Sequence, residues 1–111
     1  MEPSILLSTK KILKLAPSYV VYDNEVLTHI NSAFSTLNQL DIGKANFRVV
    51  DESQTWGEYT PDQNKLNIIK TFVFLKVRIL FDPPTTSFEL NALQTQLEEI
   101  EWRITLLQPT E

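Results

Sequence analysis

A chain of 111 residues has room for one hydrophobic core and not comfortably for two, so a single domain spanning residues 1–111 is expected. Hydrophobic residues make up 42% and charged residues 22%, a balance that excludes a disordered tail or a collagen-like repeat. Ten Lys and Arg against fourteen Asp and Glu, no Cys and only two Gly argue against a basic nucleic-acid binder, a disulfide or zinc-thiolate scaffold, and a glycine-loop phosphate binder.

The start Met1-Glu2-Pro3-Ser4 is acidic, and the apolar run Ile5 to Leu7 is followed by Lys10 and Lys11, which is not a signal-peptide pattern. A short first helix follows, capped by Ser8 or as early as Ser4, with Ile12, Leu13 and Leu15 as its apolar face and Pro17 as its stop. Lys10, Lys11 and Lys14 fall on its outer side and read as a solvated face. The second helix begins at Asp23, whose carboxylate suits an N-cap, with Tyr22 and Leu27 placed for a hydrophobic staple. Val26, Ile30, Ala33, Phe34, Leu37 and Leu40 then recur at three- and four-residue steps, one buried stripe, until Gly43 ends the helix.

Residues Lys44 to Tyr59 read as an extended, ordered loop: Phe47, Val49 and Val50 suit a short strand, Asp51 to Gln54 is polar, and Trp56-Gly57 reads as a turn. A loop of this length carries binding function or rests on a neighbouring subunit. Trp56 has two readings there, a lid over the chain's own core or a contact with a partner. Thr60-Pro61-Asp62-Gln63 opens the third helix as a capping box with Pro at N1, and Asp82 before Pro83 closes it after Phe81. Its apolar residues exceed one stripe: Leu66, Ile69, Val73 and Leu80 mark one face, Ile68, Phe72, Leu75 and Ile79 the next. Lys70, Lys76 and Arg78 interrupt the stretch Ile68 to Phe81, which is too short to span a bilayer.

The fourth helix opens with a second capping box, Thr86 to Glu89, after the Pro83-Pro84 corner. Leu90, Leu93, Leu97, Ile100, Ile104 and Leu107 form a heptad seam, and the short connection makes helices three and four an antiparallel hairpin. Pairing Phe81 with Phe88 sets Lys70 opposite Glu98 and Glu99, complementary charges that tune the register. Trp102 and Leu106 lie off the seam on a second apolar face. The expected fold is all-α: a small bundle of about four helices with a long central hairpin and one extended loop.

Enzyme chemistry finds no carrier. His29 is the lone histidine, without an HExxH partner, and there is no nucleophile elbow, P-loop or dinucleotide fingerprint. Glu98, Glu99 and Glu101 point apart on one helix rather than converging. No catalytic residue, cofactor or metal is expected, and dispersed basic residues do not supply the phosphate contacts of a DNA-binding regulator.

The short lysine-bearing helix Leu7-Ser8-Thr9-Lys10-Lys11-Ile12-Leu13, the Tyr19 to Asp23 segment opening a helix through Phe34, and Leu37 to Gly43 resemble the head-tail connector proteins of tailed bacteriophages. The string from Tyr59 through Lys70 to Lys76-Val77-Arg78-Ile79-Leu80-Phe81-Asp82-Pro83-Pro84, with Glu101-Trp102-Arg103, is similar to a branch of that family in long-tailed phages. The resemblance implies a structural virion protein of the neck, made in the host cytoplasm. It implies a homo-oligomeric, dodecameric ring that attaches below the portal, extends the DNA channel without binding DNA specifically, and presents a platform to the next neck or tail-completion protein. Apolar excess and helix phase single out Ile68, Phe72, Leu75 and Ile79 for subunit contacts, with Trp56 reaching across, and Trp102 and Leu106 for docking on the portal or neck. Phe72→Asp is then expected to leave a soluble chain unable to form rings. The alternative reading is a small helical regulator that dimerises through the C-terminal leucine seam.

Overall fold

Caps and apolar spacing resolve into five helices in the computed structural model, which describes residues 4–60 and 62–106: α1 (Ile5–Ile12), α2 (Asp23–Gln39), α3 (Trp56–Tyr59), α4 (Gln63–Phe81) and α5 (Ser87–Thr105). The expected all-α bundle with a long helical hairpin is the fold observed. The Pro61 position expected at N1 and the Leu107 end of the seam lie outside the described residues.

Ser4, not Ser8, caps α1: its hydroxyl accepts from the Leu7 amide at 3.3 Å. The Ile5 amide donates to the Gln54 carbonyl at 3.0 Å and ties α1 to the long loop. Ile5, Leu6, Thr9 and Lys10 form the buried side of the helix. Spacing predicts a solvated face for Lys10, and the structure corrects this. Lys10 is 1% exposed because the connection 13–22 folds back over it, and its Nζ meets the Asp23 carboxylate at 2.8 Å and donates to the Pro17 carbonyl at 3.1 Å. Ile12, by contrast, faces outward.

Asp23 is therefore an ion-pair partner and the first residue of α2, while Tyr22 at the N-cap makes no side-chain capping bond. The Tyr22 ring instead packs edge-on against Phe81, 5.5 Å between centroids. Val26, Ile30, Ala33, Phe34 and Leu37 are all buried, as their spacing predicts. The helix ends before Gly43: Asp41 takes the left-handed conformation with φ 58°, the Asp41 amide donates to Asn38 O at 3.1 Å, and the Ile42 amide to Leu37 O at 3.0 Å. These are the two bonds of a Schellman motif, with buried Ile42 and Leu37 as its apolar contact. Gly43, at φ 69°, serves a different purpose, because a Cβ there would lie 2.3 Å from the Tyr59 ring. The Tyr59 hydroxyl donates to the Ile42 carbonyl at 2.6 Å, so glycine lets the two segments close.

The long loop is pinned by side chains standing in for strand partners. Asn31 on α2 receives the Val49 amide at 2.8 Å and donates to the Val49 carbonyl at 2.9 Å. No strand forms among the described residues, and Trp56-Gly57 is not a loose turn. Thr55 and Glu58 make a reciprocal capping box that opens the single helical turn α3. After it, α4 starts later than the sequence suggests, with Asp62 as N-cap accepting from the Asn64 amide at 2.9 Å and Gln63 at the first helical position rather than at N3. Thr60 closes α3 instead.

Thr86 caps α5 by accepting from the Glu89 amide at 3.2 Å, and the connection 82–86 folds α5 back along α4. Leu97, Ile100 and Ile104 of the heptad seam join the one contiguous core, Ile104 fully buried. The expected charge register between the two helices is not made: among the described residues no ion pair joins α4 to α5, and Lys70 lies over the Trp56 ring, 5.7 Å from its centroid.

Candidate assembly surfaces

The sequence-selected residues divide by burial. Trp56 and Phe72 are fully buried within the chain. This corrects their assignment to subunit contact: of the two readings of Trp56, the structure adopts the lid over the chain's own core. The cause is the rigid turn α3, which aims the indole inward, where it stands edge-on to Phe74 at 5.8 Å and 6.2 Å from Phe34. Phe34 also meets Phe47 and Tyr59 at 5.3 and 4.7 Å, so the loop is held by an aromatic cluster of its own. The indole N–H finds no hydrogen-bond partner in that cluster. Phe72 stands with Ile69 and Val73, both also fully buried, in the core cluster. A Phe72→Asp chain would bury an unpaired carboxylate, so the structure replaces the expectation of a soluble, ring-deficient variant with one of an unfolded chain.

Ile68, Leu75 and Ile79 are half-buried, and Leu80 beyond them is exposed. Trp102 and Leu106 are 64% and 65% exposed at the end of α5. Of the seam offered to a dimerising regulator, Leu97, Ile100 and Ile104 pack into the chain's own core, while Leu90 and Leu93 are half-buried outside it.

The structure adds surface residues that spacing did not single out. Phe88, in the first turn of α5, is 83% exposed. Val20 and Val21, before α2, and Val50 in the long loop are also exposed, and Val20 and Val50 line one cleft with Asp23, Asp51 and Glu52. The sequence carries a signal for Val20 and Val21 as two adjacent β-branched residues in a non-helical connection. Lys10 ties down the connection that carries them, at the Pro17 carbonyl and at Asp23. Two further concave surfaces stand apart from the core: a groove on the outer side of α1 and a shallow hollow around Trp102.

Electrostatics at these surfaces are simple. Hydrogen bonds from the Ser53 hydroxyl and amide hold the exposed Asp51 carboxyl below the usual carboxylate range. Burial pushes the Tyr59 phenol well above its ordinary value. His29 pairs with Glu25 at 3.8 Å and lies against Phe81. Among the described residues no cluster of three or more His, Cys, Asp or Glu is arranged to hold a metal ion, and no helix is long and apolar enough to cross a membrane.

What the described geometry offers is therefore a small helical body with apolar side chains displayed at several places on its surface. Set against known proteins, residues 5–111 match the family described as phage connector protein. No curated protein and no solved structure matches the chain. The family match takes in all five helices, so the chain belongs to the phage connector protein family, a family of structural components of the phage neck.

Proposed function

We propose that the chain is one subunit of a dodecameric ring that attaches below the portal, extends the channel for the genome and joins head to tail. The observation that carries this reading is the family match over residues 5–111, and the exposed Phe88, Trp102 and Leu106 support it. Apolar groups of this size at the surface are what an assembling subunit offers its neighbours. On this reading the half-buried Ile68, Leu75 and Ile79 belong to lateral contacts, and Trp102 and Leu106 to docking on a neighbour in the neck. The net charge of −4 suits a wall past which DNA slides, because basic walls would hold it by Coulomb attraction. Partners on this reading are further copies of the chain, the portal and the next neck protein. Native mass spectrometry of the purified chain, alone and mixed with the portal, tests it. A ring in either sample is expected, and a monomer or dimer indifferent to the portal overturns the reading.

A further inference from the structure

Two surfaces of this chain carry opposite charge, one an apolar groove and the other an exposed indole. On the outer side of α1, Leu7, Leu15, Ala16 and Pro17 line an apolar groove of about 710 Å³ that Lys11 and Lys14 border. On α5, Glu98 and Glu101 flank the exposed Trp102 around a shallow hollow that also includes Thr105. Among the described residues, neither lysine and neither glutamate has an ion-pair partner. An exposed indole beside two unpaired carboxylates matches, in charge and in apolar character, an apolar groove beside two unpaired ammonium groups.

The two surfaces do not meet within one chain. Lys14 shares a small cleft with Arg78 and Asp82 at the C-terminal end of α4. From that end α5 runs back along α4, which puts Trp102 about 22 Å further on at 1.5 Å per residue, beside the start of α4. Groove and indole are therefore separated along the hairpin by a distance that no side chain spans, and they share no lining residue.

We infer that these surfaces meet between copies: Trp102 of one chain enters the α1 groove of the next, with Glu98 and Glu101 facing Lys11 and Lys14. This rests on the ring reading and names the residues of its contact, assigning Trp102 to the neighbouring copy rather than to the portal. Complementary but non-identical patches make a heterologous contact, the type that closes rings when the rotation between subunits permits. Burial of the indole supplies the affinity, and the charges set orientation and exclude the reversed pairing.

The chain has no cysteine, so disulfide trapping reads the contact directly. Ser8 lines the groove and Thr105 the hollow beside Trp102. With Ser8→Cys and Thr105→Cys in the same chain, mild oxidation is expected to give a ladder of covalent multimers running past the dimer. Each single variant is expected to run as monomer on a denaturing gel, and an equimolar mixture of the two to stop at dimer. Loss of the ladder, or dimers from Thr105→Cys alone, overturns the inference; if the unmodified chain still forms rings by native mass spectrometry, the ring reading stands without it. An unmodified chain that forms no ring, alone or with the portal, overturns both. A second pair of chains keeps the test independent of cysteine placement: Lys11→Glu with Lys14→Glu, and Glu98→Lys with Glu101→Lys. Each is expected to self-associate about tenfold or more weakly, and their equimolar mixture to recover assembly. Undiminished assembly by either variant alone overturns the contact.

Discussion

Replacing Gly43 with Ala attacks the point where the end of α2 closes on Tyr59. The residue sits at φ 69°, where an L side chain costs about 1–2 kcal/mol. Its new Cβ would lie 2.3, 2.6 and 2.7 Å from three atoms of the Tyr59 ring, closer than carbon atoms pack, so the ring must move. That movement overpacks the aromatic cluster, at about 1–3 kcal/mol, and stretches the 2.6 Å bond from the Tyr59 hydroxyl to Ile42 O. The contributions overlap because one ring shift relieves the clash and breaks the bond together, so the expected loss is about 2–4 kcal/mol. In a domain of this size each kcal/mol moves the melting temperature by roughly 4 °C, and the Gly43→Ala chain should melt about 8–16 °C below the parent. Urea unfolding followed by far-UV circular dichroism should show a lower midpoint at unchanged slope. Asp41→Gly is the control of opposite sign: Asp41 holds φ 58° with a side chain, so glycine there should be neutral or stabilising by up to about 1 kcal/mol. If Gly43→Ala costs less than about 0.5 kcal/mol, the close approach to Tyr59 does not constrain the fold and the reasoning fails.

Because burial raises the Tyr59 pKa in the folded chain, the proton stays on the phenol after the unfolded chain has lost it, and stability should fall by about 1.4 kcal/mol per pH unit above pH 10. That alkaline slope should vanish in Tyr59→Phe when urea midpoints are compared across pH 9–12, and a slope that survives would assign it elsewhere. Asp23→Ala strands the buried Lys10 ammonium with only the Pro17 carbonyl, a loss of about 3 kcal/mol. Lys10→Met in the same chain should restore most of it, and equal stability of the single and double variants by urea titration would contradict the pairing. Phe72→Asp should abolish the cooperative thermal transition, whereas Trp102→Ala should change the melting temperature by no more than a few degrees while weakening assembly; a folded Phe72→Asp chain would count against the core as described.

Much of the fold is written in local pattern. The stripe Val26, Ile30, Ala33, Phe34, Leu37 is buried as spaced, and Thr86 caps α5 where its position three residues before Glu89 places it, because both features are set within a turn or two of chain. The same logic extends to α3: Thr55 and Glu58 carry the spacing of a capping box, a signal outweighed by the glycine between them. The candidate surfaces were less legible. Trp102 and Leu106 lie outside the heptad seam and are exposed, but Trp56 and Phe72 occupy equally apolar surroundings in the sequence and are buried. Helical phase gives the direction in which a side chain leaves its helix. It does not say what stands opposite.

From the sequence by itself come the all-α class, the hairpin of two long helices, the apolar stripe of α2 and the resemblance to phage connectors, since periodicity, caps and prolines act over a few residues and need no partner. Only the tertiary structure decides that Lys10 turns inward to Asp23, that Gly43 exists for Tyr59, and that Trp56 closes its own core. Each of these depends on segments distant in sequence being pressed together, where burial makes an unpaired charge or an extra methyl group cost several kcal/mol and so selects one arrangement.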